Sequence, residues 1–217
     1  MKLEGKKINF LGDSITQGSG ASSNENCYVS LIGKNTGAIC RNYGIGGTRI
    51  ARQQTPSNPI HDQYYGSRVA AMDPDADFVV VFGGTNDFGH GDASLGMFDD
   101  RTDDTFYGAL HLLFTSLIEK YSSSKIVVIT PLHRCEEDNL RGDGSKQRDY
   151  ATLKAYVDMI RKVAQYYSLP VLDLYKNSGI QPKIPVIKEK YMPDGLHPND
   201  AGYRILADKI TKFLENL

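Results

Sequence analysis

Phe78-Val79-Val80-Val81-Phe82 runs directly into Gly83-Gly84-Thr85-Asn86-Asp87. Five consecutive apolar residues leave no polar side to turn toward solvent. A run of this kind reads as a strand buried on both faces, the sort found in parallel sheets covered by helices. The glycine pair ends the strand, and the polar residues after it open a turn. In open α/β sheets, ligands bind beyond the carboxyl ends of the strands, so this turn is where chemistry belongs.

Working outward, four more short apolar runs occur at residues 8–11, 38–40 leading to Asn42, 126–129 and 171–174. They too read as buried strands. Helix-like stretches lie between them at residues 29–35, 61–72, 105–121, 150–167 and 201–214. The clearest carries Leu110, Leu113, Phe114, Leu117 and Ile118 at helical spacing. Asn199 stands as a candidate N-cap for the last helix. Alternation of strand and helix predicts an α/β fold, with one five-stranded parallel sheet and helices on both faces. One domain over residues 1–217 suits the length. Two long polar loops, 88–104 and 136–148, are candidate lids or binding loops.

Bulk composition narrows the function classes. The chain has 217 residues, 40% hydrophobic and 24% charged, with a formal net charge of -1. That balance gives no support for a nucleic-acid partner, which wants a clustered basic face. No apolar stretch approaches the roughly 20 residues of a membrane span. No signal-peptide pattern stands at the N-terminus, and Cys27, Cys40 and Cys135 form no disulfide framework or zinc pattern. A cytoplasmic protein without metal or cofactor is expected.

Four turns carry candidate chemistry. Gly12-Asp13-Ser14 follows the first strand. Ser14 is either a helix cap or a nucleophile whose own N–H faces an oxyanion. The spacing of Gly12 and Gly18 is not that of a Gly-x-Ser-x-Gly elbow. Asp194-Gly195-Leu196-His197-Pro198 precedes the last helix. There the carboxylate can fold back on the imidazole, leaving Nε2 free to act as a base. The alternatives are a surface turn, or two metal ligands with no third at a recognisable spacing. Asn42-Tyr43-Gly44-Ile45-Gly46-Gly47 follows the second strand. It reads as an oxyanion donor, a phosphate loop or a tight turn, but it matches neither nucleotide-binding glycine pattern. Asn86 is either a turn residue or a neutral oxyanion donor.

The ordered set of Gly12-Asp13-Ser14, the glycine of Asn42–Gly47, Gly84-Thr85-Asn86-Asp87 and Asp194–His197 resembles the SGNH (GDSL) hydrolase family. The resemblance spans nearly the whole chain. It implies a flavodoxin-like three-layer sandwich, with Ser14 as nucleophile, His197 as general base and Asp194 as its orienting partner. It also implies an oxyanion hole from the N–H groups of Ser14 and Gly47 and the Asn86 amide. Gly47 is chosen over Gly46 because the family's glycine lies five residues after the block's asparagine.

Around these residues, Phe88 and His90 are candidate walls of an acyl pocket. His133, Arg134 and Arg49 are candidates for binding a polar or anionic part of the substrate. Asp13, beside the serine, reads chiefly as a turn-stabilising residue and is counted with them as a possible contact. The expected substrate is a small acyl ester, acetyl above all and by resemblance that of a carbohydrate. Rival readings are a lipase, lysophospholipase or thioesterase on longer chains, and a noncatalytic nucleotide- or phosphate-binding module.

Overall fold

A computed structural model describes all residues, Met1–Leu217. Its strands are β1 (Lys7–Gly12), β2 (Ile39–Gly44), β3 (Phe78–Phe82), β4 (Lys125–Ile129) and β5 (Val171–Leu172). The helices are α1 (Ser14–Gln17), α2 (Tyr28–Thr36), α3 (Tyr65–Arg68), α4 (Thr85–Gly89), α5 (Phe106–Lys120), α6 (Leu153–Tyr166), α7 (Leu174–Asn177), α8 (Pro185–Tyr191) and α9 (Asp200–Glu215). The strands form one five-stranded sheet in the order β2-β1-β3-β4-β5, and every pairing is parallel. This is the flavodoxin-like order, with its switch point beside β1.

Alternation along β3 divides the interior in two. Val79 and Val81 pack into a core with Tyr65, Phe88, Leu110, Phe114, Tyr156 and Ile160, on the side of α3, α5 and α6. Phe78, Val80 and Phe82 point the other way, to Tyr28, Ile32, Tyr203, Leu206 and Ile210 of α2 and α9. Successive residues of a strand face opposite sides, so an all-apolar run is what two helical layers demand.

Register brings the strand ends level. Gly12 pairs with Gly44 and with Phe82, Phe82 with Ile129, and Ile129 with Leu172. The turns after β1, β2 and β3 therefore open side by side.

Several expectations need correction. β2 is an edge strand and only partly buried, because Arg41 and Asn42 interrupt its apolar character. β5 keeps two residues, since Asp173 caps Lys176 N–H and starts α7 at Leu174. The helix expected over 61–72 begins only at Tyr65 and tightens to a 3-10 turn at Val69–Ala71. Its first residues belong instead to a loop held by the Asp62 carboxylate, which accepts from the N–H groups of Ser57 and Asn58 at 2.8 and 3.1 Å. The two long loops are fastened to each other. Asp143 N–H donates to Gly89 O at 2.9 Å, and just past the second loop Tyr150 O–H donates to Asp92 O at 3.0 Å.

Candidate active site

Ser14 is the first residue of α1, so its N–H has no acceptor within the helix and faces outward from the sheet end. Asp13 caps the helix by accepting from Ile15 N–H at 3.0 Å. The turn is tight. A Cβ on Gly12 would lie 1.8 Å from Thr16 Oγ1, and one on Gly44 would lie 2.2 Å from Gln17 N. Only glycine at both strand ends lets the start of α1 settle between β1 and β2.

The distant C-terminal motif reaches the serine through side-chain ties. Asp200 at the start of α9 accepts from Ser22 N–H at 2.8 Å and Ser22 O–H at 2.7 Å. Tyr203 O–H donates to Ser19 O at 2.7 Å. Asn199 caps α9 as expected, accepting from Ala201 and Gly202 N–H groups at 3.0 and 3.1 Å.

These ties set His197 Nε2 2.9 Å from Ser14 Oγ. Nδ1 of the same ring lies 2.7 Å from Asp194 Oδ2. Asp194 Oδ1 accepts from the N–H groups of Leu196 at 2.8 Å and His197 at 2.7 Å. Partial burial pulls the Asp194 carboxyl upward, but these bonds outweigh it and hold it below the usual carboxylate range. An ionised Asp194 can only accept a hydrogen bond, so Nδ1 carries the N–H and Nε2 is left as the acceptor for the serine hydroxyl. An arrangement of this kind can withdraw a proton from Ser14.

N–H donors lie in the turns after β2 and β3, whose strand ends are level with that of β1. Asn86, in the first turn of α4 and only 5% exposed, donates one amide hydrogen to Thr48 O at 3.0 Å and keeps the second free. Gly46 N–H is already given to Gln17 Oε1 at 2.8 Å. Gly47 N–H has no acceptor within the chain, and its φ of +74° is open to glycine. That distribution favours Gly47 over Gly46 as a donor.

Residues unseen in the sequence hold these donors. Arg68 Nη1 donates to Tyr43 O at 2.8 Å, and Nη2 donates to Gly12 O and Thr48 Oγ1 at 3.1 Å each. One buried guanidinium thus ties the turns after β1 and β2. Asp87 accepts from Ile50 and Ala51 N–H groups at 2.9 Å each, fixing α4 to the Gly47 turn. Burial raises the Asp87 carboxyl despite those bonds. Asp87 sits in a legible motif, whereas a lone arginine in a helix carries no signal.

The outer candidates fare differently. Phe88 is not a pocket wall: it is 0% exposed and meets Tyr156 edge-on in the core. As the fourth residue of α4 it turns inward, away from Asn86. Arg49 is buried and engaged, donating to Asp62 Oδ1 at 2.6 Å and to His90 Nδ1 at 3.0 Å. Burial and the Arg49 charge push His90 down to about 4, so its ring is neutral. Arg134 is also buried and donates to Thr85 O at 3.3 Å, with its guanidinium 5.3 Å from the Phe88 ring. Arg49 therefore offers no free head for an anion, whereas Arg134 uses only Nη1 and keeps Nε without a hydrogen-bond partner. His133 is occupied by Glu137 at 2.6 Å and lies against Tyr175. Asp13 is 2% exposed and acts as a cap, not a contact, with burial raising it to about 6. No group of three His, Cys, Asp or Glu side chains is placed to hold a metal ion.

Residues 10–205 match the model of the GDSL-like lipase/acylhydrolase family. No curated protein matches the chain. Among solved structures, a protein of Lactobacillus plantarum is 30% identical, with 98% of each chain covered and a TM-score of 0.84. Another solved chain is 33% identical over 100% of this chain and 99% of its own, with a TM-score of 0.86. A two-domain esterase active on acetylated mannans is 25% identical over 99% of this chain and 50% of its own, with a TM-score of 0.63. The chain belongs to the GDSL-like lipase/acylhydrolase family and is a carboxylic ester hydrolase.

Proposed function

We propose that this chain hydrolyses short-chain O-acyl esters, acetyl esters above all, through a Ser14–His197–Asp194 triad and an acyl-enzyme. The observation that carries the reading is the unbroken contact from Ser14 Oγ to His197 Nε2 at 2.9 Å and from Nδ1 to Asp194 at 2.7 Å. In this reading His197 takes the Ser14 proton as Oγ attacks the ester carbonyl. The carbonyl oxygen gains charge between the N–H groups of Ser14 and Gly47 and the free amide hydrogen of Asn86. Collapse of the intermediate breaks the bond to the alcohol oxygen, which leaves with the proton held on Nε2. Water, deprotonated by the same nitrogen, then attacks the acyl-serine and releases the acid.

A carbohydrate ester is the proposed substrate, supported by the likeness to the acetylated-mannan esterase. The exposure of the Asp194 side chain, 54%, supports an alcohol that extends into solvent beside His197. One domain over residues 1–217 is proposed, since all five strands join in a single sheet. Three free cysteines support a reducing compartment such as the cytoplasm, and no helix is long and apolar enough to cross a membrane.

The test is hydrolysis of p-nitrophenyl acetate and a panel of acetylated sugars by the parent and by Ser14→Ala. The reading expects activity on acetyl esters that vanishes in the folded variant. Full activity without Ser14 would sink it.

A further inference from the structure

Residues 53–63 form a strap beyond β2, which the Asp92 carboxylate ties down from outside and the Asp62 carboxylate closes on itself. Asp92 accepts from the N–H groups of Gln54 and Thr55 at 2.7 Å each. Asp62 accepts from those of Ser57 and Asn58. Arg49, in the turn after β2, joins the strap to that turn through Asp62 and through His61 O at 3.3 Å. The backbone of His61 is therefore fixed while its side chain stays exposed.

The fixed position is significant because of what the ring touches. A Cβ added to Gly47 would lie 2.7 Å from His61 Cγ, 2.8 Å from Cδ2 and 3.0 Å from Nδ1. The imidazole covers the α-carbon of the residue whose free N–H faces the reacting carbonyl.

We propose that His61 sets the acyl-chain length this enzyme accepts, by walling the space beside Gly47. The inference rests on the functional reading above. The leaving alcohol must lie against His197 Nε2 to collect its proton. His197 arrives with α9, on the Tyr28 and Tyr203 side of the sheet. Gly47 and Asn86 are backed by Ile50, Ala51, Tyr65 and Phe88, which belong to the opposite core. With the alcohol on the α9 side, the acyl group extends to the other side, where His61 stands. Phe88 and its neighbours are closed behind it, so a longer chain has to displace the ring.

The experiment compares kcat/KM for p-nitrophenyl butyrate and acetate in the parent, His61→Ala, His61→Phe and Ser14→Ala. In His61→Ala the butyrate-to-acetate ratio is expected to rise about 10-fold or more, the scale on which a hydrophobic site discriminates methylenes. In His61→Phe, which restores a ring, the ratio is expected to return to that of the parent. A purely structural role for His61 would lower both substrates together and leave the ratio unmoved. A ratio unmoved in His61→Ala, with Ser14→Ala inactive, overturns this inference alone. Failure of His61→Phe to restore the ratio also overturns it. Retained hydrolysis by Ser14→Ala overturns the functional reading and this inference with it.

Discussion

In the proposed mechanism the Asn86 turn and the Asp194–His197 turn serve the same serine, and the two functional side chains are held differently. Asn86 is buried, and contacts distant in sequence position it: its amide on Thr48 O, and the Asp87 carboxylate on Ile50 and Ala51. Asp194 is half exposed, and its bonds stay within three residues, to Leu196 and His197. A donor that stabilises charge as it appears must be held before the reaction begins, which needs a rigid, dry surround. A base that gains and loses a proton each cycle needs its ring oriented, and Asp194 does this from within the loop, while long-range ties at Ser22 and Ser19 place the loop itself.

The largest effect expected from breaking this contrast is on turnover. His197→Ala should lower kcat by about 10⁴-fold, leaving catalysis from binding and donors alone. Its melting temperature should move less than that of a buried-donor variant, because the partner it leaves behind, Asp194, is half exposed and keeps its bonds to Leu196 and His197 N–H. Steady-state kinetics beside a thermal melt reads both. Asn86→Ala should lower kcat by roughly 100- to 1000-fold. It should also lose more stability than the histidine variant, about 1–3 kcal/mol, because Thr48 O loses its buried partner. Equal stability in the two variants would break the comparison.

Asp87→Ala sharpens it further. It removes no donor from the carbonyl, yet it strands two buried N–H groups at about 1–3 kcal/mol each. A urea melt should show that loss, and kcat should fall less than in Asn86→Ala.

The last effect expected is spread over a pH range and leaves the catalytic groups untouched. Burial raises Asp13 from 3.8 to about 6 in the folded protein. Between those values the native state binds more protons than the unfolded chain, so this group makes stability fall as pH rises through the window. The loss is at most about 3 kcal/mol. Asp13→Asn keeps an oxygen for Ile15 N–H and lacks the titration. Its stability relative to the parent should therefore grow from pH 4 to pH 6.5 and level off above. Parallel profiles would contradict the assignment.

The contrast also explains which parts of the molecule can be read from sequence. β3 is legible to the residue, Phe78–Phe82, because burial on both faces leaves no polar interruption. β2 is blurred by Arg41 and Asn42 because an edge strand need not be apolar. Ser14, Asn86, Asp194 and His197 lie in short motifs, and a parallel register brings the turns after β1 and β3 to one edge without further information. Arg68 and the strap are illegible because their roles depend on partners 20 or more residues away, such as Thr48 for Arg68 and Asp92 for Gln54. Phe88 misleads for a related reason. Asn86, two residues earlier, reaches Thr48 O, but the direction of Phe88 depends on where α4 begins, at Thr85.

The most direct test of the central claim is covalent. Incubating the protein with a fluorophosphonate and measuring its intact mass should show one adduct per chain, mapped by peptide sequencing to Ser14 and slowed severely in His197→Ala. An unmodified protein, or an adduct on any other residue, would contradict Ser14 as the nucleophile.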